Sequence, residues 1–293
     1  MIKNNRVISL IIIFLIYSAA GALGIGTYYY LQFDFWLNLL IADAVATVAV
    51  FLFSLIFSNA SCYDAYWSVA PMVIMIVLLF TKELNVVRIL LAVAILGWGA
   101  RLTANWVYTF ENLNWEDWRY VYYKKKSGCL YPIVNFFGIH LMPTIIVYSC
   151  ILPAVYAFET EVTLNFWSIL FFITAVLSFV IQGIADVEMH IFRKNKDGIF
   201  IRKGLWKNAR HPNYLGEICM WWSIGLLSVL SMNMHYYLLG GALLNTLLFV
   251  FISVPLAERH QRDRKPGFDE YKSETRMFLP IPRFSRKKTD DIE

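Results

Sequence analysis

Charged residues are scarce in this chain of 293 residues, of which only 16% are Asp, Glu, Lys or Arg. A typical soluble domain carries roughly a quarter of its residues as charged side chains. Here apolar residues make up 58% and aromatic residues 17% of the chain, and no low-complexity linker interrupts them. The composition therefore excludes a soluble globular enzyme and indicates an integral membrane protein.

Cysteines are also few, and their spacing excludes two kinds of small scaffold. Cys62, Cys129, Cys150 and Cys219 form no C-x-x-C pair. Because a disulfide framework or a zinc site needs regularly spaced ligands, neither is predicted, and no metal is expected. The chain also lacks a soluble basic domain, so its net charge of +5 does not indicate nucleic-acid binding. Anionic membrane lipids are the partners that this charge predicts.

Apolar runs long enough to cross a bilayer as a helix, about 20 residues each, recur along the chain. They fall near residues 7–30, 36–57, 67–81, 86–109, 132–156, 164–185, 213–231 and 235–257. The third and seventh runs are short, so each is open to interpretation as a re-entrant or interfacial segment, and seven spans remain an alternative to eight. The sequence predicts an all-α, polytopic transmembrane helix bundle.

Basic residues predict the orientation of this bundle, because Lys and Arg in short loops are retained on the cytoplasmic side. With eight spans and an inside N-terminus, all but three of the 26 basic residues fall in cytoplasmic parts. The three exceptions are Lys82, Arg88 and Arg101. Both termini are therefore predicted to be cytoplasmic.

Polar residues recur at helical spacing where the last three spans reach the predicted cytoplasmic side. They form three groups, each on one helix face: Gln182, Asp186, His190 and Arg193; Asn213 and Glu217; and Glu258, Arg259, Arg262 and Asp263. A carboxylate near hydrocarbon is costly unless it is partnered, and arginines supply donors for an anionic ligand. The three faces predict one shared pocket. Taken singly, each group of polar residues also has a structural explanation. Its basic residues would anchor the end of a span, or its charges would pair within the helix, as Glu258 and Arg262 could at i,i+4 spacing.

The segment 204–217, GLWKNARHPNYLGE, lies between the sixth and seventh spans. It combines hydrogen-bond donors and ring faces suited to a phosphorylated or otherwise anionic cofactor: Trp206, Arg210, His211, Asn213 and Tyr214. Pro212 indicates a helix start, where backbone N–H groups point outward and attract anions. In the second span Asp43 stands alone, and we interpret it as an interhelical hydrogen-bonding group.

Taken together, these motifs resemble the membrane steroid 5-alpha-reductase family with its DUF1295-type relatives, and the related sterol carbon-14 reductases. The resemblance covers roughly residues 100–284. It rests on the order and spacing of the segments 185–193, 204–206, 210–217, 259–263, 266–271 and 278–280. Isoprenylcysteine carboxyl methyltransferases are similar around residues 210–217, but they follow the last span with paired glutamates, where this chain has Glu258 and Arg259.

The resemblance implies an NADPH-dependent reductase of an activated C=C bond in a hydrophobic lipid, such as a 3-oxo-4-ene steroid-like enone. It implies cofactor contacts from Asp186, Arg193, Trp206, Arg210, His211, Asn213, Tyr214, Glu217, Arg259, Arg262, Asp263 and Tyr271. The alternative is a membrane methyltransferase of the isoprenylcysteine or phospholipid type, which would bind S-adenosylmethionine in the same place.

The resemblance also implies an acidic residue that faces the substrate carbonyl near the second and third spans. Asp64 is the predicted proton donor, and Tyr66 is the second candidate. A single membrane domain, 1–275, would then comprise a lipid-substrate half, 1–110, and a cofactor-binding half, 111–275. A charged tail, 276–293, follows. The resemblance to the bacterial branch favours a bacterial inner membrane, and the endoplasmic reticulum is the expectation for a eukaryotic source.

Overall fold

The computed structural model describes residues 2–195, 198–232 and 235–282. Within these ranges the regular elements are all helical, apart from an isolated bridge between Ala209 and Arg276. The predicted all-α fold is therefore confirmed. The end of the predicted charged tail, residues 283–293, lies outside the described residues.

Twelve α-helices occur in the described part of the chain. They are α1 (Arg6–Tyr30), α2 (Phe35–Phe57), α3 (Tyr66–Thr81), α4 (Val86–Thr109), α5 (Trp118–Ser127), α6 (Tyr131–Val134), α7 (Met142–Glu159), α8 (Phe166–Asn195), α9 (Pro212–Met232), α10 (Gly240–Leu248), α11 (Val254–Arg262) and α12 (Phe268–Glu274). Short 3-10 helices at Ala60–Tyr63 and Gly204–Lys207 and π-helices at Asn135–Leu141 and Phe249–Ser253 join some of them.

Eight helical segments of the described chain are long and apolar enough to cross a membrane. Eight spans, rather than seven, is therefore the better count, and the chain is a multi-pass membrane protein. The short third run gains length because the 3-10 turn before α3 extends it to Ala60–Thr81. The orientation of the termini and the kind of membrane stay predictions.

Both π-helices come just before a proline. The segment Asn135–Leu141 precedes Pro143, and Phe249–Ser253 precedes Pro255. Proline has no backbone N–H, so one carbonyl in the preceding turn loses its usual partner. A wider π turn accommodates this loss within a continuous helix. The sequence thus places a local irregularity in the spans that contain α7 and α11.

The chain divides into two compact units. The first comprises Met1–Ile173 and Trp221–Leu244, and the second comprises Thr174–Met220 and Asn245–Glu293. The predicted division into substrate and cofactor halves at residue 110 concerns function, and it stays a prediction.

Polar contacts at the helix ends order the first unit. Lys3 donates to the last carbonyl of α2 at 2.7 Å, and Arg6 donates to a carbonyl near the end of α4 at 2.6 Å. At the opposite end of α4, Arg88 donates to the carbonyl of Thr160 at 2.9 Å, and Lys82 at the end of α3 donates to Glu159 at 2.6 Å. Basic residues therefore bond neighbouring helix ends to one another near both ends of α4.

The core of the first unit packs α1 against α2 and the 3-10 turn Ala60–Tyr63 through buried residues such as Ile13 and Val50. Elsewhere in this unit the fully buried rings of Trp98 and Trp221 meet edge to face, with centroids 4.7 Å apart. Burial of large aromatic rings stabilises this core by packing and dispersion.

In the second unit, Gly216 allows α9 to approach α8 closely. A Cβ atom at this position would lie 2.5 Å from Cγ of Gln182 and 2.8 Å from the carbonyl oxygen of Ser178. Because a backbone carbonyl cannot move aside without shifting α8, only glycine fits at this contact.

Gly216→Ala is therefore expected to destabilise the protein by about 1–3 kcal/mol, the usual cost of overpacking. The measurement is the thermal melting midpoint in detergent. Gly26→Ala is the matched control, since a Cβ there meets nothing within 4 Å and replacing a helical glycine contributes about 0.5–1 kcal/mol. Equal melting midpoints for the Gly216 variant and the wild type would contradict the close contact.

Candidate functional site

The first unit contains a cavity of about 380 Å³, bounded mainly by α1, α2 and α3. Most of its wall is apolar. Its lining includes Gly24, Ile25, Leu39, Ala46, Val73 and Val77. A mostly apolar cavity of this size suits a hydrophobic small molecule, whose orientation is then set by a few polar groups.

One carboxyl group and one phenol at this cavity form a hydrogen-bonded pair. Tyr66 on α3 donates to Asp43 Oδ1 on α2 at 2.9 Å, and both residues line the cavity. The ring of Tyr17 packs edge-on against Tyr66 with centroids 5.8 Å apart and restricts its orientation. The interhelical hydrogen bond predicted for Asp43 is confirmed. The signal for a further role was the isolation of this carboxyl group within hydrocarbon.

Asp64, the predicted proton donor, is not among the residues that line this cavity. Its carboxylate accepts a hydrogen bond from the hydroxyl of Tyr120 on α5. Beside it, the backbone N–H of Asp117 donates to Ser61 Oγ at 3.0 Å. These contacts tie the chain between α2 and α3 to the start of α5. Of the two predicted candidates, Tyr66 is thus the one at the cavity wall.

In the second unit, the buried carboxylate of Glu258 contacts three basic side chains. Oε1 lies 2.7 Å from Arg210 Nε and 3.4 Å from His211 Nε2, and Oε2 lies 2.7 Å from Lys272 Nζ. Arg210 also donates to the carbonyl of Thr275. The side chains of Arg210 and Glu258 are only 5% and 7% exposed. This network fastens the segment before α9 to α11 and α12.

Three predicted cofactor residues, His211, Tyr214 and Tyr271, have aromatic partners inside this unit. The ring of His211 stacks on Tyr214 with centroids 5.1 Å apart. Burial lowers the pKa of His211, and the neighbouring Glu258 opposes that shift. Tyr271 stacks on Phe200 at 4.5 Å with an interplanar angle of 8°. Burial also raises the pKa of Tyr271, so its phenol is neutral near pH 7.

Trp206 is buried, and its indole N–H donates to the carbonyl of Ala185 on α8 at 2.9 Å. One residue earlier in the chain, the backbone N–H of Leu205 donates to Glu188 Oε2 at 3.0 Å. The 3-10 helix Gly204–Lys207 is therefore docked on α8. Trp206 therefore has a structural role, because its indole N–H bonds this 3-10 helix to α8.

The remaining predicted cofactor residues differ in exposure. Arg193, Arg259, Arg262 and Asp263 are exposed, Asp186, Asn213 and Tyr214 are half-buried, and Glu217 is buried. Arg262 pairs with Asp269 at 2.7 Å. The alternative i,i+4 pairing of Arg262 with Glu258 is thus replaced by longer-range partners for both residues.

Lys265 is a cation that the sequence analysis did not single out, although it ends a basic run. Its pKa is lowered by burial and by the positive charge of Arg193. Its ammonium group lies 5.3 Å from the centroid of the Phe200 ring. An anion such as a phosphate group bound beside Lys265 would favour the charged form of this side chain.

A family model described as a protein of unknown function (DUF1295) matches residues 50–275. An uncharacterized protein of Schizosaccharomyces pombe is 23% identical over 296 residues, a match that covers 89% of this chain and 83% of that relative. No solved structure matches the chain significantly. Since the family model covers well over half of the chain, the protein belongs to the DUF1295 family of steroid 5-alpha-reductase-like membrane proteins.

Proposed function

We propose that this protein is an NADPH-dependent membrane reductase of the activated C=C bond in a hydrophobic enone, such as a 3-oxo-4-ene steroid-like compound. The observation that carries the proposal is the hydrogen-bonded pair of Asp43 and Tyr66 at the wall of an otherwise apolar cavity. Membership of a steroid 5-alpha-reductase-like family supports the reaction class.

The pair suits the carbonyl end of an enone. An enone accepts a hydride at its β-carbon more readily when its carbonyl oxygen is polarised by a hydrogen-bond donor. In the structure the hydroxyl of Tyr66 donates its hydrogen to Asp43. When Asp43 is protonated, its carboxyl group can donate to Tyr66 instead, and the phenol hydrogen is then available to a substrate carbonyl at the cavity. The wall is mostly apolar, and a low-polarity environment strengthens a hydrogen bond to the developing enolate oxygen. A flat, apolar substrate fits the remaining lining.

The second unit carries groups that fit a phosphorylated dinucleotide. The positive charge of Arg193 lowers the pKa of Lys265. Arg259 on α11 is an exposed cation of the same unit. A reduced nicotinamide supplies a hydride when bound, whereas the protein supplies position and a proton. We assign direct contacts to Asp186, Arg193, Asn213, Tyr214, Glu217, Arg259, Arg262 and Asp263. We assign a supporting role to Trp206, Arg210, His211 and Tyr271, whose side chains are buried and are bonded or stacked within the unit.

Thermal melting of the detergent-solubilised protein with NADPH, NADH or S-adenosylmethionine tests the cofactor. We expect NADPH to raise the melting midpoint, because a ligand at 100 times its Kd stabilises the folded state by about 2.7 kcal/mol. Lys265→Gln should weaken this stabilisation, whereas Lys82→Gln, which removes a cation of the first unit, should leave it unchanged. Stabilisation by S-adenosylmethionine alone would instead establish a methyltransferase.

A further inference from the structure

The cavity in the first unit is elongated. Its lining residues on α1 and α3 recur at helical spacing, so the cavity follows one face of each helix. On α1 the lining runs from Tyr17 to Tyr29, and on α3 it runs from Tyr66 to Lys82, which caps the helix. At about 1.5 Å per residue, these two faces are roughly 18 Å and roughly 24 Å long. An extended ligand therefore fits this cavity better than a compact one.

Polar groups line the two ends of this face of α3. The Asp43–Tyr66 pair lies at its start, and Thr81 and Lys82 lie at its end, together with Tyr28 from α1. The lining of α3 between these ends is apolar and consists of Val69, Ala70, Val73, Ile74, Val77 and Leu78. A ligand that satisfies both ends has two polar groups separated by an apolar body.

Lys82 has donor capacity for a ligand. Its ammonium group donates to Glu159 Oε2 at 2.6 Å. An ammonium group carries three N–H donors, and the contact with Glu159 uses one of them. Beside it, the hydroxyl of Thr81 donates to the carbonyl of Val77 at 2.8 Å, so its oxygen can accept a hydrogen bond. This end of the cavity therefore offers both a donor and an acceptor.

The charge at this end of the cavity is balanced. The carboxylate of Glu159 neutralises Lys82, and their side chains are only 16% and 32% exposed. An anionic group that approached Lys82 would also approach Glu159, and like charges repel strongly where water is partly excluded. An uncharged group meets no such repulsion. A hydroxyl group, which both donates and accepts, matches this end best.

We propose that Lys82 binds a hydroxyl group at the far end of the substrate, whose enone carbonyl lies at the Asp43–Tyr66 pair. This assignment rests on the proposed reductase function and narrows its substrate class. The substrate is an extended enone lipid with an uncharged hydroxyl group opposite the enone. Lipids that end there in a carboxylate or in plain hydrocarbon bind more weakly. Lys82 is thus a residue that determines substrate specificity.

The first test measures binding without NADPH. Three 3-oxo-4-ene steroids, which differ only in carrying hydrogen, hydroxyl or carboxylate at the end opposite the enone, are titrated into the detergent-solubilised protein. We expect the hydroxyl compound to bind at least about tenfold more tightly than the hydrogen compound, as one hydrogen bond to a charged group predicts. The carboxylate compound should bind no more tightly than the hydrogen compound.

Lys82→Met should remove the advantage of the hydroxyl compound. Lys3→Met is the matched control, because Lys3 bonds to the carbonyl of Phe57 and is not among the residues that line the cavity. The double change Lys82→Met with Glu159→Leu leaves no unpaired charge and should lose the same advantage. It keeps the test valid if the single Lys82 variant does not fold.

A change of the partner carboxylate should switch the preference. Glu159→Gln keeps the shape of the side chain but leaves the charge of Lys82 unbalanced. We expect the carboxylate compound to bind at least about tenfold more tightly to this variant than to the wild type, with little change for the hydrogen compound. A purely structural role of the ion pair would instead weaken the binding of all three compounds.

Two glycines of α1 test whether the ligand lies in this cavity. A Cβ at Gly21 or at Gly26 would meet nothing within 4 Å, but only Gly21 lines the cavity. Gly21→Leu should therefore weaken the binding of all three compounds at least about tenfold by filling the cavity, whereas Gly26→Leu should bind them like the wild type. Wild-type binding by Gly21→Leu would overturn the proposal.

Two further results would overturn the role of Lys82. One is equal binding of the hydroxyl and hydrogen compounds by the wild type, and the other is a hydroxyl advantage that survives in Lys82→Met. Failure of the proposed function is separate from both. If the wild type shows the expected preference but oxidises no NADPH with any of the compounds, Lys82 binds the hydroxyl group and the reductase assignment is wrong.

Discussion

Replacement of Asp43 by Asn is expected to lower kcat for enone reduction by about 100-fold, or about 2.7 kcal/mol of transition-state stabilisation, with little loss of NADPH binding. The amide keeps the shape of the side chain and can still accept from Tyr66, but it has no acidic proton to supply to the phenol. The measurement is NADPH oxidation, followed by the loss of absorbance of the reduced nicotinamide, with a panel of 3-oxo-4-ene steroids.

The comparison with Asp64→Asn makes this prediction decisive. Asp64 accepts from Tyr120 and is not at the cavity wall, so its variant should retain most of kcat. The reverse order of the two losses would restore Asp64 as the proton donor that the sequence predicted. Because groups that act as one unit are non-additive, Asp43→Asn combined with Tyr66→Phe should be little worse than the more damaging single change.

Replacement of Glu258 by Ala is expected to destabilise the protein by about 3–5 kcal/mol, because removing one partner leaves the buried guanidinium of Arg210 without its counter-charge. Lys272 loses its carboxylate partner as well. The thermal melting midpoint in detergent is the measurement. NADPH stabilisation should fall with it, since this network positions the start of α9.

Glu274→Ala supplies the matched control in the same unit. Glu274 pairs with Arg202, and both side chains are about half exposed, so its loss should cost about 1 kcal/mol or less. The double change Arg210→Met with Glu258→Leu should cost less than Glu258→Ala, because no unpaired charge remains buried. A melting midpoint for Glu258→Ala equal to that of Glu274→Ala would show that the buried pair contributes little.

Several elements were predictable because they depend on local properties of the chain. Runs of apolar residues predicted the spans, since a helix of about 20 residues crosses the bilayer regardless of its neighbours. The Pro266–Gly267 dipeptide is a local turn signal, and Gly267 has a φ of 77° ahead of α12. The short third run was ambiguous because its extension by a 3-10 turn follows no apolar pattern.

Side-chain roles were less predictable, because the spacing of residues along one helix does not reveal which residues of other elements contact them. Glu258 and Arg262 have the spacing of an i,i+4 pair, yet Glu258 pairs with Arg210, 48 residues away, and Arg262 pairs with Asp269. No role for Lys265 was predictable from the sequence. Its proximity to Arg193 depends on how the chain after α11 returns towards α8.

By itself, the sequence determined an all-helical membrane protein with seven or eight spans, a family-specific order of motifs, and polar faces at the ends of the last three spans. These follow from hydrophobicity and helical periodicity. Only the tertiary structure decided that the carboxyl group beside Tyr66 at the apolar cavity is Asp43 and not Asp64. It also decided that Arg210 forms a buried ion pair with Glu258. The reason is that helix packing, and not distance along the sequence, determines which side chains line the same cavity and which charged groups are buried as a pair.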